Sequence, residues 1–155
     1  MATGLDAKDR QIIRALQRDG RVTNSDLAEA VNLSPSPCLR RLRILEESGV
    51  IRGYSANIDQ KKYGLSLLAF ISVRLDSHTR ENVDRFERRV KRIDEILGCY
   101  LLTGGQDYLL QVVVRDLDGY DDFIRNQLHA IGGIASIDSS ICYNTVKETA
   151  VFPEF

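Results

Sequence analysis

The order of strand and helix patterns between residues 67 and 147 is the feature that most constrains the fold of this chain. Apolar runs rich in β-branched and aromatic side chains predict four strands, and apolar residues at helical spacing predict two helices. The strands cover Leu67–Leu75, Ile96–Leu102, Tyr108–Val114 and Ile134–Lys147, and the helices cover Asn82–Ile93 and Leu117–Ile131. This βαββαβ order predicts a ferredoxin-like domain, whose helices cover one face of the sheet and leave the other face available for association.

Three shorter helical patterns come before this domain. The first covers Leu5–Leu16, with Asp6 as N-cap and Asp9 three residues later. The second begins at a cap supplied by Thr23 or Asn24 and is closed by the turn that follows it. We therefore expect an α+β protein with a small helical domain in front of the ferredoxin-like domain.

The third helix begins in the stretch SPSPCLRRLR, residues 34–43, which holds two prolines, three arginines and no acid. Proline is tolerated in the first turn of a helix, because the N–H groups there have no intrahelical partner. Two registers stay open at this point: Ser34 as N-cap before Pro35, or Ser36 as N-cap before Pro37. In both registers the prolines fix a sharp turn between the second and third helices.

A helical wheel divides the third helix into an apolar side and a basic side. The apolar side holds Cys38, Leu39, Leu42 and Leu45, and the opposite side holds Ser36, Arg40, Arg43 and Glu47. Arg41 lies on the flank, and Ile44 falls on the polar side, where burial within this unit does not explain it. Three short helices with such a third helix indicate a helix-turn-helix, although a solvated charged face on a helical bundle would give the same wheel.

The longer pattern favours the helix-turn-helix. Residues 5–59 resemble the N-terminal half of the Lrp/AsnC (feast/famine) regulators almost continuously. The residues that carry this likeness are Asp19-Gly20-Arg21, Leu27-Ala28, Leu33-Ser34-Pro35, the segment 38–42, and Glu47-Ser48-Gly49-Val50-Ile51. The second half resembles the effector-binding and oligomerising domain of the same family through residues 99–104, 107–110, Asp116-Leu117 with Tyr120, and Val146-Lys147-Glu148-Thr149.

The resemblance implies a winged-helix-like DNA-binding domain over residues 1–52, a linker strand and turn over 53–64, and a ferredoxin-like effector-binding domain over 65–155. For DNA, Arg40 and Arg43 are the candidates for base contact, since arginine pairs bidentately with guanine. Phosphate contacts are expected from Ser34, Ser36, Arg41, Arg21 and Arg52. The implied partners are double-stranded DNA and a second copy of the chain in a homodimer, with an octamer suggested by the resemblance alone.

The loop Thr103-Gly104-Gly105-Gln106-Asp107 between two strands is the candidate effector site, together with Tyr100. Its glycines leave backbone N–H groups bare for a carboxylate, and Asp107 could take an ammonium group. That pairing suits a small amino acid, the effector class of the resembled family. Family members often carry a polar or acidic residue where this chain has Gly105, and the alternative is that the glycines only permit a tight loop.

The remaining features argue against catalysis, cofactors and membranes. No nucleotide-binding glycine motif occurs, His78 and His129 have no partner at ligand or relay spacing, and no cofactor or metal site is expected. The longest aliphatic and aromatic run is Leu67–Ile71, so no membrane span and a cytoplasmic protein are predicted. We expect Cys38 to be a buried structural thiol, and Cys99 and Cys142, which lie in predicted strands, to belong to the core. The alternatives to a regulator are an architectural DNA-coating protein and an amino-acid-binding or catalytic domain with a vestigial helical head.

Overall fold

The computed structural model describes residues 4–153, and these form two compact units. One unit contains residues 4–57 together with 146–153, and the other contains residues 58–145. The sequence placed residues after 145 with the second domain, whereas the structure groups this segment with the helical unit. Among the described residues, no helix is long and apolar enough to cross a membrane.

The helical unit consists of α1 (Ala7–Arg18), α2 (Asn24–Ala30) and α3 (Pro35–Glu47). The capping box predicted at α1 is confirmed: Asp6 accepts from the Asp9 N–H at 2.9 Å, and Asp9 accepts from the Asp6 N–H at 3.1 Å. The three helices pack around one buried cluster. Its members are Ile12, Leu27, Ala28, Val31, Cys38 and Leu45.

The segment after position 145 contacts α1 through a single side chain. Gln17 donates from its amide nitrogen to the Ala150 carbonyl oxygen at 2.8 Å. The Phe152 N–H donates in turn to the Gln17 side-chain oxygen at 3.3 Å. One glutamine thus satisfies an acceptor and a donor of an extended backbone, as a neighbouring strand would, and holds this segment on the helical unit.

The second unit contains the predicted βαββαβ order. Its elements are the single turn α4 (Gln60–Tyr63), β1 (Leu67–Leu75), α5 (Arg80–Val90), β2 (Ile96–Leu101), β3 (Tyr108–Val114), α6 (Leu117–Asp122) and β4 (Ile134–Ile141). The strands form one antiparallel sheet in the order β2-β3-β1-β4, which is the ferredoxin-like arrangement. The linker predicted over residues 53–64 contains the turn α4, but residues 53–59 form no strand, because no neighbouring strand pairs with them in the part of the chain that the structure describes.

Strand register separates the two faces of this sheet. Ile71 pairs with Leu110, and both are fully buried beneath the helices. Their neighbours Phe70 and Leu109 are only partly buried and point to the other face, since side chains alternate along a strand. The core on the helix side includes Val73, Val112, Phe86, Phe123 and Leu128.

Several predicted boundaries differ from the structure, two of them by more than three residues. The helix expected over Leu117–Ile131 is broken: α6 continues as a π-helical turn over Phe123–Leu128 and a 3-10 turn over His129–Ile131. The last strand ends at Ile141 rather than at residue 147. One more backbone bond to β1 follows, from the Cys142 N–H to the Leu68 carbonyl at 2.8 Å, and β1 begins at Leu67, one residue before Leu68.

Asn82 connects the start of α5 to two loops of the second unit. It is the only polar side chain among the fully buried residues described, and it donates to the Asp76 side chain, the Ser77 carbonyl and the Gly133 carbonyl at 2.9–3.1 Å. Its oxygen accepts from Arg85. Gly133 has a φ of +72°, and a Cβ there would collide with the Asn82 side chain, so glycine is required on both grounds.

Candidate DNA-binding and effector sites

The structure selects one of the two registers at the start of α3. Ser34 is the N-cap and Pro35 the first helical residue. Pro37 then occupies the third helical position, where a serine cap would normally find an N–H, and Ser34 makes no side-chain cap bond. The two prolines also remove two of the unpaired N–H groups of the first turn, so its donors are the Ser34 and Ser36 N–H groups and the two hydroxyls.

The outer side of α3 carries an exposed face, which we call the α3 basic face. Its members are Ser36, Arg40, Arg43 and Glu47. Together with Leu39 and Ile44 they line a shallow groove along the helix. Within residues 4–153 neither Arg40 nor Arg43 is in an ion pair, so both guanidinium groups are available to an anion. Cys38 and Leu45, on the opposite side, are buried in the helical core, as the wheel predicted.

Ile44 is the residue of the groove that the sequence left unexplained. More than half of its side chain is exposed (56%), although its neighbours on the helix are charged. Ile44 is an apolar side chain in the groove lined by Arg40 and Arg43. Such a side chain can make an apolar contact with the methyl group of thymine.

Arg41 does not belong to the α3 basic face. Its Nη1 donates to Asp9 at 2.8 Å and to Asp6 at 2.7 Å, which are the two carboxylates of the α1 capping box. These bonds raise the pKa of Arg41, and the Asp9 N–H and the Arg41 guanidinium lower the pKa of Asp6. The sequence analysis expected Arg41 to contact DNA phosphate, and in the structure its guanidinium group pairs with these two carboxylates and ties α3 to α1.

Arg21 and Arg52 are both exposed and do not line the groove. Arg21 follows α1 and its backbone N–H donates to the Asp19 side chain at 2.9 Å, while Arg52 follows α3. The structure therefore brings together Ser36, Arg40 and Arg43, with Ser34 at the helix start, and leaves these two arginines apart from them.

The predicted effector loop connects β2 to β3 and is closed by the Leu102 N–H, which donates to the Asp107 carbonyl at 2.8 Å. Gly104 has a φ of +120°, a region that favours glycine. A Cβ on Gly105 would meet nothing within 4 Å, and its φ lies outside that region. Only one of the two glycines is therefore required by the backbone.

Asp107 has internal partners for both carboxylate oxygens. One oxygen accepts from the Leu75 N–H at 2.8 Å, and the other lies 2.8 Å from His78 Nε2. These two contacts, the histidine first, hold the pKa of Asp107 below its usual value. The sequence analysis found no partner for His78 and expected Asp107 to bind an ammonium group, whereas the structure pairs these two side chains at the end of the loop.

The other predicted effector residues have different surroundings. Thr103 is exposed at the loop. The Oε1 of Gln106 is buried and has no hydrogen-bond partner among the described residues. Tyr100 is half exposed and lies over Gly98, where a Cβ would be 2.7 Å from the tyrosine hydroxyl. A polar atom withheld from solvent beside an open loop is a feature that a bound ligand would satisfy.

The three cysteines are free thiols. Cys38 is fully buried and burial raises its pKa, which agrees with a structural thiol. Cys99 was expected in the core but is exposed, because β2 is the edge strand of the sheet. Residues 4–153 contain no group of His, Cys, Asp and Glu side chains that could hold a metal ion.

A helix-turn-helix unit with a free basic helix, joined to a ferredoxin-like unit with a glycine loop, defines a two-part regulator of transcription. Comparison with known families agrees: residues 5–52 match a winged helix-turn-helix DNA-binding domain, and residues 68–152 match the Lrp/AsnC ligand binding domain. The chain belongs to the Lrp/AsnC family, and it is a DNA-binding transcriptional regulator of that type.

Several relatives match over nearly the whole chain. The Bkd operon transcriptional regulator of Pseudomonas aeruginosa is 42% identical over 92% of this chain and 93% of its own length. Transcriptional regulator AzlB of Bacillus subtilis is 35% identical over 99% and 98%. A solved transcriptional regulator from Neisseria meningitidis, in complex with L-Met, is 38% identical with a TM-score of 0.92 and covers 96% of both chains.

Proposed function

We propose that this regulator distinguishes operator DNA from other DNA with the α3 basic face, and that Arg40 and Arg43 contact base edges. The observation that carries this proposal is that both guanidinium groups are exposed and unpaired within the described residues, whereas the adjacent Arg41 is held by two carboxylates. Ser34 and Ser36 contact a phosphate at the start of the helix, where N–H groups and the helix dipole favour an anion. Arg21 and Arg52 hold the DNA backbone.

The test compares Arg40→Ala and Arg43→Ala with Arg41→Ala on an operator duplex and on a random duplex. A lost bidentate contact to guanine is worth about 1–3 kcal/mol, or roughly 5- to 150-fold in affinity for the operator alone. Arg41→Ala removes the same charge from the neighbouring position and also breaks the contacts with Asp6 and Asp9 that tie α3 to α1, so any weakening that it causes should be equal on the two duplexes. Equal weakening on both duplexes by Arg40→Ala and Arg43→Ala would refute base contact and favour an architectural DNA-coating protein.

We propose further that the protein acts as a homodimer, and that the uncovered sheet face takes part in the association. Two recognition helices about 34 Å apart then reach half-sites one duplex turn from each other. Apolar side chains on that face are not fully covered in the isolated chain: Tyr100, which pairs with Leu109 on the uncovered face, is 52% exposed, and Phe70 is only partly buried. Light scattering of the purified chain decides between a monomer, a dimer and the octamer suggested by the family.

The effector proposal is that a small amino acid binds at the 102–107 loop, with its carboxylate on the bare N–H groups and the Gln106 oxygen accepting from its ammonium group. The buried, unpartnered Oε1 of Gln106 supports this placement better than Asp107, whose oxygens are already occupied. The Neisseria relative bound to L-Met makes methionine the first amino acid to test.

Thermal-shift measurements with each of the twenty amino acids at millimolar concentration test the effector proposal. A ligand at ten times its Kd raises stability by about 1.4 kcal/mol. Gln106→Ala should abolish the shift, whereas Asn126→Ala, an exposed amide of the same unit, should retain it. No shift with any amino acid, or a shift that survives Gln106→Ala, would overturn this placement.

A further inference from the structure

One side of α5 carries four arginines, which we call the α5 arginine face. Its members are Arg85, Arg88, Arg89 and Arg92. At 100° per residue they fall within about 100° of one another, on the flank away from the buried Phe86 and Val90. Arg92 lies in the turn just after α5, where its N–H donates to the Arg89 carbonyl at 3.0 Å, so this turn keeps Arg92 next to the end of the row. The face spans about 10 Å.

Three of these arginines have no partner among the described residues. Arg85 donates to Asn82, but Arg88, Arg89 and Arg92 make no ion pair or hydrogen bond through their side chains. Like charges at helical spacing destabilise a helix, and residues 53–155 hold twelve basic and fifteen acidic residues, so this row is not part of a generally basic surface. The helix dipole favours cations in the last turn of α5, where Arg88 and Arg89 lie. It does not account for four arginines on one side.

The acidic groups nearby are bound to other partners. Asp84 pairs with Arg80 at 3.7 Å, and Asp121 pairs with Arg125 at 2.8 Å. Three further carboxylates have hydrogen-bond donors of their own: Glu87 accepts from Tyr108, Glu95 from Gln127 and Asp122 from Asn126. Asp94 is exposed and lies beyond the end of α5, two residues after Arg92. Only Glu81 lies on the same side of the helix. The unit thus neutralises its other arginines in this region and leaves the row free.

The row also borders a shallow recess of about 200 Å³ between α5 and the π-helical turn that follows α6. Arg89 and Arg92 form its cationic edge, and Ile93, Ala130 and Ile131 form its apolar floor. These guanidinium groups have no acceptor within the described residues, and the recess leaves them open to a ligand. Arginine binds phosphate oxygens in a bidentate manner, so a phosphate group is a suitable ligand here.

We propose that the α5 arginine face is a second DNA-binding surface, which contacts the phosphate backbone of duplex outside the two half-sites. Charge complementarity fixes the partner, because the chain already binds DNA and the row is as long as about three phosphates of one strand. The contact carries no base specificity. It lengthens the DNA that each subunit engages and makes affinity depend on the length of the duplex. This inference rests on the DNA-binding function proposed for α3, but it concerns a different surface of the protein.

The experiment measures binding against salt for wild-type protein and the triple variant Arg88→Gln/Arg89→Gln/Arg92→Gln. Two duplexes carry the same selected operator: one of about 20 base pairs, which spans two half-sites one turn apart, and one about three times as long. On the long duplex the slope of log K against log salt should fall by about 0.9 for each lost phosphate contact. If three contacts are lost, raising the salt from 50 to 200 mM should reduce the affinity of the variant by a factor roughly 40 times smaller than it does for wild type. On the short duplex the slope should not change.

A matched control carries the same change in charge. The triple variant Arg80→Gln/Arg115→Gln/Arg125→Gln removes three arginines of the same unit that are each paired with a carboxylate. It should leave the slope of the long duplex near the wild-type value. Equal effects of the two variants, an effect of equal size on both duplexes, or no effect at all would overturn the proposal.

Two further readouts separate this proposal from misfolding and from failure of the α3 proposal. Removing like charges from one side of α5 should leave the melting temperature of the variant unchanged or raised. Binding of the wild-type protein to the short duplex tests the α3 basic face alone. If the wild-type protein does not bind the short duplex, the function proposed for α3 is wrong. If it binds the short duplex normally and the triple variant has an unchanged salt slope on the long duplex, only the proposal for the α5 arginine face is refuted.

Discussion

The pairing of Asp107 with Leu75 and His78 predicts a large and graded loss of stability when this carboxylate is replaced. Leu75 is buried at 3% exposure, and its N–H has the Asp107 side chain as acceptor at 2.8 Å. Asp107→Ala leaves that N–H without a partner, which costs about 1–3 kcal/mol. The contact with His78, whose side chain is 69% exposed, adds about 0–1 kcal/mol. We therefore expect a total loss of about 1–4 kcal/mol.

Two milder variants separate the contributions. Asp107→Asn keeps an oxygen for the Leu75 N–H, and neutral His78 can accept from the new amide, so the loss should stay below about 1 kcal/mol. His78→Ala removes only the exposed partner and should cost a similar amount. Urea unfolding followed by circular dichroism gives the three free energies, and hydrogen exchange of the Leu75 amide reports the bond itself. Asp107→Ala within about 0.5 kcal/mol of wild type, with the Leu75 amide still protected, would refute the reasoning.

The pH dependence has a definite sign. The pKa of Asp107 is lowered in the folded protein, by the His78 contact first and the Leu75 N–H second. Its contribution to stability is therefore fully present above its unfolded pKa, near pH 4, and is lost as the pH falls through the lower folded value. The stability difference between wild type and Asp107→Asn should shrink in that acidic range. A difference that grows on acidification would contradict this.

Three other outcomes follow from individual contacts. Gly133→Ala should destabilise by about 2 kcal/mol more than Gly132→Ala in thermal unfolding, because both have a φ near +73° but only a Cβ at 133 collides with Asn82; equal losses would contradict the clash. Replacing operator thymines by uracil removes their methyl groups, which should weaken wild-type binding about fourfold at one or two positions and leave binding of the Ile44→Ala variant unchanged. If the variant loses affinity at the same positions as wild type, Ile44 is not the methyl contact. A thiol reagent should label Cys38 only after urea unfolding, since the side chain is buried with a raised pKa; rapid labelling of the folded protein would contradict this.

Local patterns predicted much of the fold. The capping box of Asp6 and Asp9 and the order of the four strands follow from residues close together in the sequence, and both are confirmed. The register of α3 was undecided because Ser34-Pro35 and Ser36-Pro37 satisfy the same first-turn rule. The structure decides it through the Cys38 N–H, which donates to the Ser34 carbonyl at 3.2 Å and so begins the helical ladder.

Contacts between distant residues were beyond the sequence. His78 and Asp107 are 29 residues apart, and Gln17 meets Ala150 across 133 positions, so no spacing rule connects them. Arg41 differs for another reason. The wheel placed it correctly on the flank of α3, but only the packing of α1 shows that the flank meets two carboxylates. Charges assigned to a ligand from a wheel must therefore first be tested for partners inside the protein.

The unequal roles of Gly104 and Gly105 have a practical consequence. Gly104 is tied to its identity by a φ of +120°, whereas position 105 has open space for any side chain. A regulator of this kind can change the chemistry of its loop by a single codon, with no cost to the strands on either side. Saturation libraries at position 105 are thus the natural starting point for biosensors with new small-molecule responses.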